Sequence, residues 1–108
     1  MNTQLLSKVQ RNILSNPIRF DACEDFDSDI TGFAVAAAGL NPSEVDCYTE
    51  ARKLLRITAG QRDTLCLLHL WPRQFQRKYE PEAVTHRQMK TNAQIAAARI
   101  AHFARTGC

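Results

Sequence analysis

In the C-terminal fifth of the chain, Met89, Ala93, Ala96, Ile100 and Phe103 recur at spacings of 4, 3, 4 and 3, the period of one helical face. Lys90, Asn92, Gln94, Arg99 and His102 fill the turns between them. The pattern predicts an amphipathic helix that buries a narrow seam against another helix, in its own domain or a partner subunit, and turns these five residues outward. It should begin near Val84 or Thr85, where Thr85 and Gln88 have capping-box spacing, and end at Gly107.

The same logic runs along the rest of the chain. Leu5, Leu6, Val9 and Ile13 predict a first helix from about Thr3 to Ser15, stopped by Asn16-Pro17, after which Phe20 folds back as a core anchor. An alanine-rich second helix from Ile30 to Ala38 ends at Gly39, a residue suited to the left-handed closing position. Ser43, with Asp46 three residues on, opens a third helix whose inner face is Val45, Tyr48, Ala51 and Leu55. Thr58 and Gln61 form a capping box for a fourth helix, which carries Leu65 to Leu70 and Trp71 up to Pro72 and should be the most buried. A short helix from Pro72 to Tyr79 would point Phe75 and Tyr79 inward and Arg73, Arg77 and Lys78 outward.

No segment alternates with a period of two, no hairpin turn appears and no repeat is present, so the fold expected is an all-α compact bundle of five to six helices without a sheet. At 108 residues, with 44% hydrophobic, 23% charged and 7% aromatic content, the chain is large enough for one helical domain spanning residues 1–108. Its longest largely apolar stretch, Phe33 to Leu40, is too short for a membrane span or a signal sequence, so the expected compartment is the cytoplasm.

Candidate chemistry is sparse. Cys23, Cys47, Cys66 and Cys108 form no Cys-x-x-Cys pair and have no adjacent histidine, which argues for reduced thiols over zinc ligands. Asp25-x-Asp27-x-Asp29 resembles the opening of a calcium loop, but Ile30 and Ala36 stand where that loop needs glycine and a bidentate glutamate. Asp21–Asp29 is better read as a solvated acidic loop that caps the next helix. His69, His86 and His102 have no histidine partner at i+3 or i+4. Cys66 and His69 have the i, i+3 spacing of a nucleophile and base, yet a core thiol beside a half-buried histidine explains them as well. No cofactor and no enzymatic role are expected.

The net charge of +3 is unevenly spread. Residues 1–43 carry three basic against five acidic side chains, and residues 44–108 carry eleven against six. Arg73, Arg77, Lys78, Arg87 and Lys90 therefore make a candidate interaction surface. Its simplest use is protein association, with the acidic segment of a second copy or with another protein in an adaptor, accessory or regulatory role. The alternative is nucleic-acid binding by the basic C-terminal half, though no helix-turn-helix or other reader motif is present.

Taken in order, Ile13-Leu14-x-Asn16-Pro17-x-Arg19-Phe20-Asp21, the alanine-rich helix ending in Gly39-Leu40, Leu55-x-Ile57, Gln61, Leu65, Trp71-Pro72 and Tyr79 resemble a group of small, all-helical bacterial and phage-type proteins of unknown function. The resemblance covers most of the chain. Members of that group often carry Cys-Gly-Thr and Cys-Ile-Ala-Gly around the second helix, where this chain has Asp29-Ile30-Thr31 and Ala34-Val35-Ala36-Ala37. The resemblance thus implies a fold and no activity, and any metal or redox role of that cysteine pair would be absent here.

Overall fold

A computed structural model describes residues 1–23 and 28–108. Its helices are α1 (Thr3–Ser15), α2 (Ile30–Ala37), α3 (Cys47–Leu55), α4 (Ala59–Cys66), α5 (Arg73–Gln76) and α6 (His86–Thr106), with a single 3-10 turn at Leu68–Leu70. Among the described residues there is no strand. The expected all-α bundle is the observed fold.

Helix α1 buries Leu5, Leu6, Val9 and Ile13, and lies between α6 on one side and α2 on the other, while α3 covers α2. Asn2 ties the start of α1 to the end of α3: its side chain caps Leu5 N–H at 3.0 Å, and its backbone N–H donates to the Leu55 carbonyl at 2.7 Å. Across the bundle, the Gln10 side chain donates to the Ala97 carbonyl at 2.9 Å. Phe20 does fold back, meeting Phe33 edge-on with ring centroids 5.8 Å apart.

The two capping boxes form as the spacing predicts, Thr58 with Gln61 and Thr85 with Gln88. Gly39 and Gly107 both take positive φ, +88° and +74°. Arg56 does so as well, at 55°, and closes α3 in the left-handed conformation without being glycine. Helix α3 starts at Cys47, with Asp46 as its N-cap in place of a start at Ser43. Val45 and Tyr48 are only half-buried, and Cys47, Ala51 and Leu55 form the inner face.

Helix α4 departs most from expectation. It ends at Cys66, and Leu67 turns extended, because two remote side chains take the carbonyls that a longer helix would use. Arg99 Nη2 donates to the Thr64 carbonyl at 2.9 Å, and Trp71 Nε1 donates to the Leu65 carbonyl at 2.7 Å. Pro72 adds to this by holding Trp71 at ψ 149°. The most buried helix is consequently α2, whose Ile30–Val35 and Ala37 are all buried. Its small residues let α1 and α3 close on it from both sides.

Helix α6 keeps Ala93, Ala96, Ile100 and Phe103 in the core, with Met89 half-buried. Asn92 and Arg99, expected outside, are buried. Asn92 behaves as a backbone mimic: its amide donates to the Glu80 carbonyl and its oxygen accepts from Glu80 N–H, both at 2.8 Å. That pair holds the 77–84 loop on α6. Helix α5 is a single turn, and Tyr79 is buried beyond its end.

Candidate interaction surface

The sequence singles out five cations, and all are exposed: Arg73 at the start of α5, Arg77 and Lys78 in the turn after it, and Arg87 and Lys90 on the opening turns of α6. None of the five forms an ion pair among the described residues, where the pairs are Lys53–Glu50 at 3.8 Å and Arg62–Asp63 at 3.2 Å. Lys78 and Arg87 converge on a shallow cleft of about 200 Å³ with Glu80, Gln88 and Thr91. Arg73, Arg77 and Lys90 lie outside that cleft.

Next to it, sharing Glu80 and Asn92, is a smaller depression walled by Ile18, Asp21, Pro81, Ala83 and Met89. Ile18 is 56% exposed, and Val84, beside Ala83, is 79% exposed. Val84 and Met89 occupy the two positions of a hydrophobic staple around the Thr85 cap. A side chain 79% exposed is scarcely covered by that pairing. One face therefore carries an apolar centre, cations at Lys78 and Arg87, and acids at Asp21 and Glu80. The sequence signal for the apolar part was the staple spacing alone, and the contribution of Ile18 came only from the fold.

Elsewhere the structure reports on the remaining chemistry. Cys66 is buried, and burial first, then the Asp29 charge, push its thiol well above the ordinary range. His69 lies exposed in the 3-10 turn, and no hydrogen bond joins the two, since the end of α4 between them removes the shared helical face. None of the four cysteines is in a disulfide. Among the described residues no three His, Cys, Asp or Glu side chains are placed to hold a metal ion. Asp25 and Asp27 of the calcium-loop reading lie outside the described residues, and Asp29 is the N-cap of α2.

Arg99 is fully buried, a role its sequence position concealed. Besides Thr64, its guanidinium meets His102 Nδ1 at 3.4 Å and stands 6.0 and 5.7 Å from the Phe75 and Phe103 ring centroids. Its Nε has no hydrogen-bond partner among the described residues. Burial draws its pKa down from the usual arginine range, though a guanidinium still remains charged. No described helix is long and apolar enough to cross a membrane. Neither a family model, a curated protein nor a solved structure matches the chain.

Proposed function

We propose that this protein works by association and that its partner is a second copy of itself, bound through the face formed by Ile18, the 79–84 loop and the first turns of α6. The observation that carries this reading is Ile18, 56% exposed, sharing a depression with Ala83 and Met89 that is bordered by Asp21 and Glu80 and adjoins the cleft of Lys78 and Arg87, with Val84, 79% exposed, next to Ala83 in the same loop. A two-fold interface brings the same patch together from both subunits, so it needs apolar surface at the centre and both charges at the rim. Fully covering Val84 and Ile18 contributes about 1.5–3 kcal/mol each. A standard interface of about 800 Å² per subunit is a modest fraction of the 6162 Å² surface.

The reading is non-enzymatic and cytoplasmic, with Cys66 a protonated core thiol. Sedimentation of the full chain tests it. A dimer dissociating in the micromolar range is expected, and Ile18→Glu with Val84→Glu should give a folded monomer. A wild-type monomer up to about millimolar concentration refutes it.

The five exposed cations, none of which forms an ion pair among the described residues, favour one second reading, phosphate contact with nucleic acid. Saturable, steeply salt-dependent binding to duplex DNA, abolished by Arg73→Glu and Arg77→Glu with the fold intact, would establish that reading in place of the first.

A further inference from the structure

Charge is segregated along the face proposed for self-association. Asp21 and Ile18 line only the depression, Lys78 and Arg87 line only the adjoining cleft, and Glu80 and Asn92 border both. Met89 belongs to the depression and directly follows Gln88, which lines the cleft. The apolar surface of Ala83 and Met89 therefore lies between an acid at one end and two cations at the other. Both ends are held by the fold. Asp21 N–H donates to the Ser28 carbonyl at 2.9 Å, and its Oδ1 accepts from Cys23 N–H at 2.9 Å. At the opposite end, two 2.8 Å bonds pin the Glu80 backbone to Asn92, which fixes the loop after Lys78 against α6, the helix that carries Arg87.

Asp21, Lys78 and Arg87 form no ion pair among the described residues. Glu80, which stands between the ends, is turned back onto its own loop, where its Oε1 accepts from Glu82 N–H at 3.0 Å. A two-fold axis through the apolar strip exchanges the two ends, so the acid of one copy comes to face the cations of the other. The cleft, of about 200 Å³, is open enough to admit a carboxylate. We infer that the Lys78–Arg87 cleft receives the Asp21 carboxylate of a second copy, twice in each dimer. The inference rests on self-association through this face and adds what sets its register, since any arrangement that opposes like ends places Lys78 and Arg87 against their own counterparts. Exposed ion pairs are individually weak, and the symmetry doubles the contribution of each.

The test is sedimentation of the full chain, with circular dichroism to verify the fold of each variant. Asp21→Lys should weaken the dimer about tenfold or more, and so should Lys78→Glu with Arg87→Glu, since each reversal sets like charges against each other at both symmetry-related places. All three changes in one chain should return the dissociation constant to within about threefold of the wild type, because every pair re-forms with its signs exchanged. If Asp21→Lys does not fold, Asp21→Asn, which keeps an acceptor for Cys23 N–H, takes its place: it should weaken the wild-type dimer yet tighten the dimer that carries Lys78→Glu and Arg87→Glu. A wild-type dimer indifferent to these reversals, or not rescued by combining them, overturns this inference and leaves self-association standing. A wild-type monomer up to about millimolar concentration removes both.

Discussion

Replacing Trp71 separates two contributions that meet at the end of α4. The indole is buried, stacks on Tyr79 and donates to the Leu65 carbonyl at 2.7 Å, and Leu65 itself is fully buried. Both partners of that bond are buried. Trp71→Phe keeps an aromatic ring but orphans the carbonyl, so the expected loss is about 1–3 kcal/mol. Trp71→Ala also empties the site, and a buried tryptophan truncated in this way costs about 3–5 kcal/mol. Urea unfolding followed by far-UV circular dichroism reads both, since the fluorophore is the residue removed. The wild type should emit at a shorter wavelength than free tryptophan. A loss below about 1 kcal/mol for Trp71→Ala, or a Phe variant as stable as the wild type, would refute the role given to this residue.

Arg56→Gly should stabilise the protein by about 0.5–1 kcal/mol, the left-handed penalty of about 1–2 kcal/mol less the unfolded-state entropy of glycine, and thermal denaturation checks the sign. In native protein a thiol-specific reagent should label Cys23 and Cys108 quickly and Cys47 and Cys66 slowly, with all four reacting in denaturant; rapid labelling of Cys66 would contradict its burial. Hydrogen bonds from Thr49 to Asp46 and from Tyr48 to Asp63 hold both carboxyls below the ordinary aspartate value of about 3.9. The unfolded chain therefore binds more protons near that pH, and the stability these groups contribute is present above about pH 4 and lost as pH falls through their lowered values. Asp63→Asn should make the acid limb of a stability profile shallower, and an unchanged limb would count against the Tyr48 contact.

What the sequence made legible was local. The Thr58 and Thr85 capping boxes, the Asn16-Pro17 stop and the face Leu5, Leu6, Val9, Ile13 each depend on residues within a few positions of one another, and each stands as predicted. The end of α4 depends on Arg99, which is 35 positions from the carbonyl it caps. Helical periodicity alone therefore carries α4 onward through the apolar run. The same blindness placed Arg99 and Asn92 on the outer face of α6. A charged or amide side chain is normally solvated, and only the fold brings the Thr64 carbonyl and the Glu80 backbone within its reach. Arg87 and Lys90 were readable as exposed because helix phase sets their direction, and Arg77 and Lys78 because charged side chains are normally solvated; the depression at Ile18 beside the cleft of Lys78 and Arg87 was not readable, since Ile18 arrives from the loop after α1.

Pairing α1 with α6 also sets an order of events during synthesis. The Gln10–Ala97 contact spans 87 positions, so at about 5–20 residues per second the apolar face of α1 waits roughly 4–17 s for the helix that will cover it. Helices α2 and α3 emerge sooner and can shield α1 on one side only. The nascent chain thus carries Leu5, Leu6, Val9 and Ile13 partly uncovered until α6 has emerged, an interval in which a chaperone or a neighbouring nascent chain competes with α6 for the same surface.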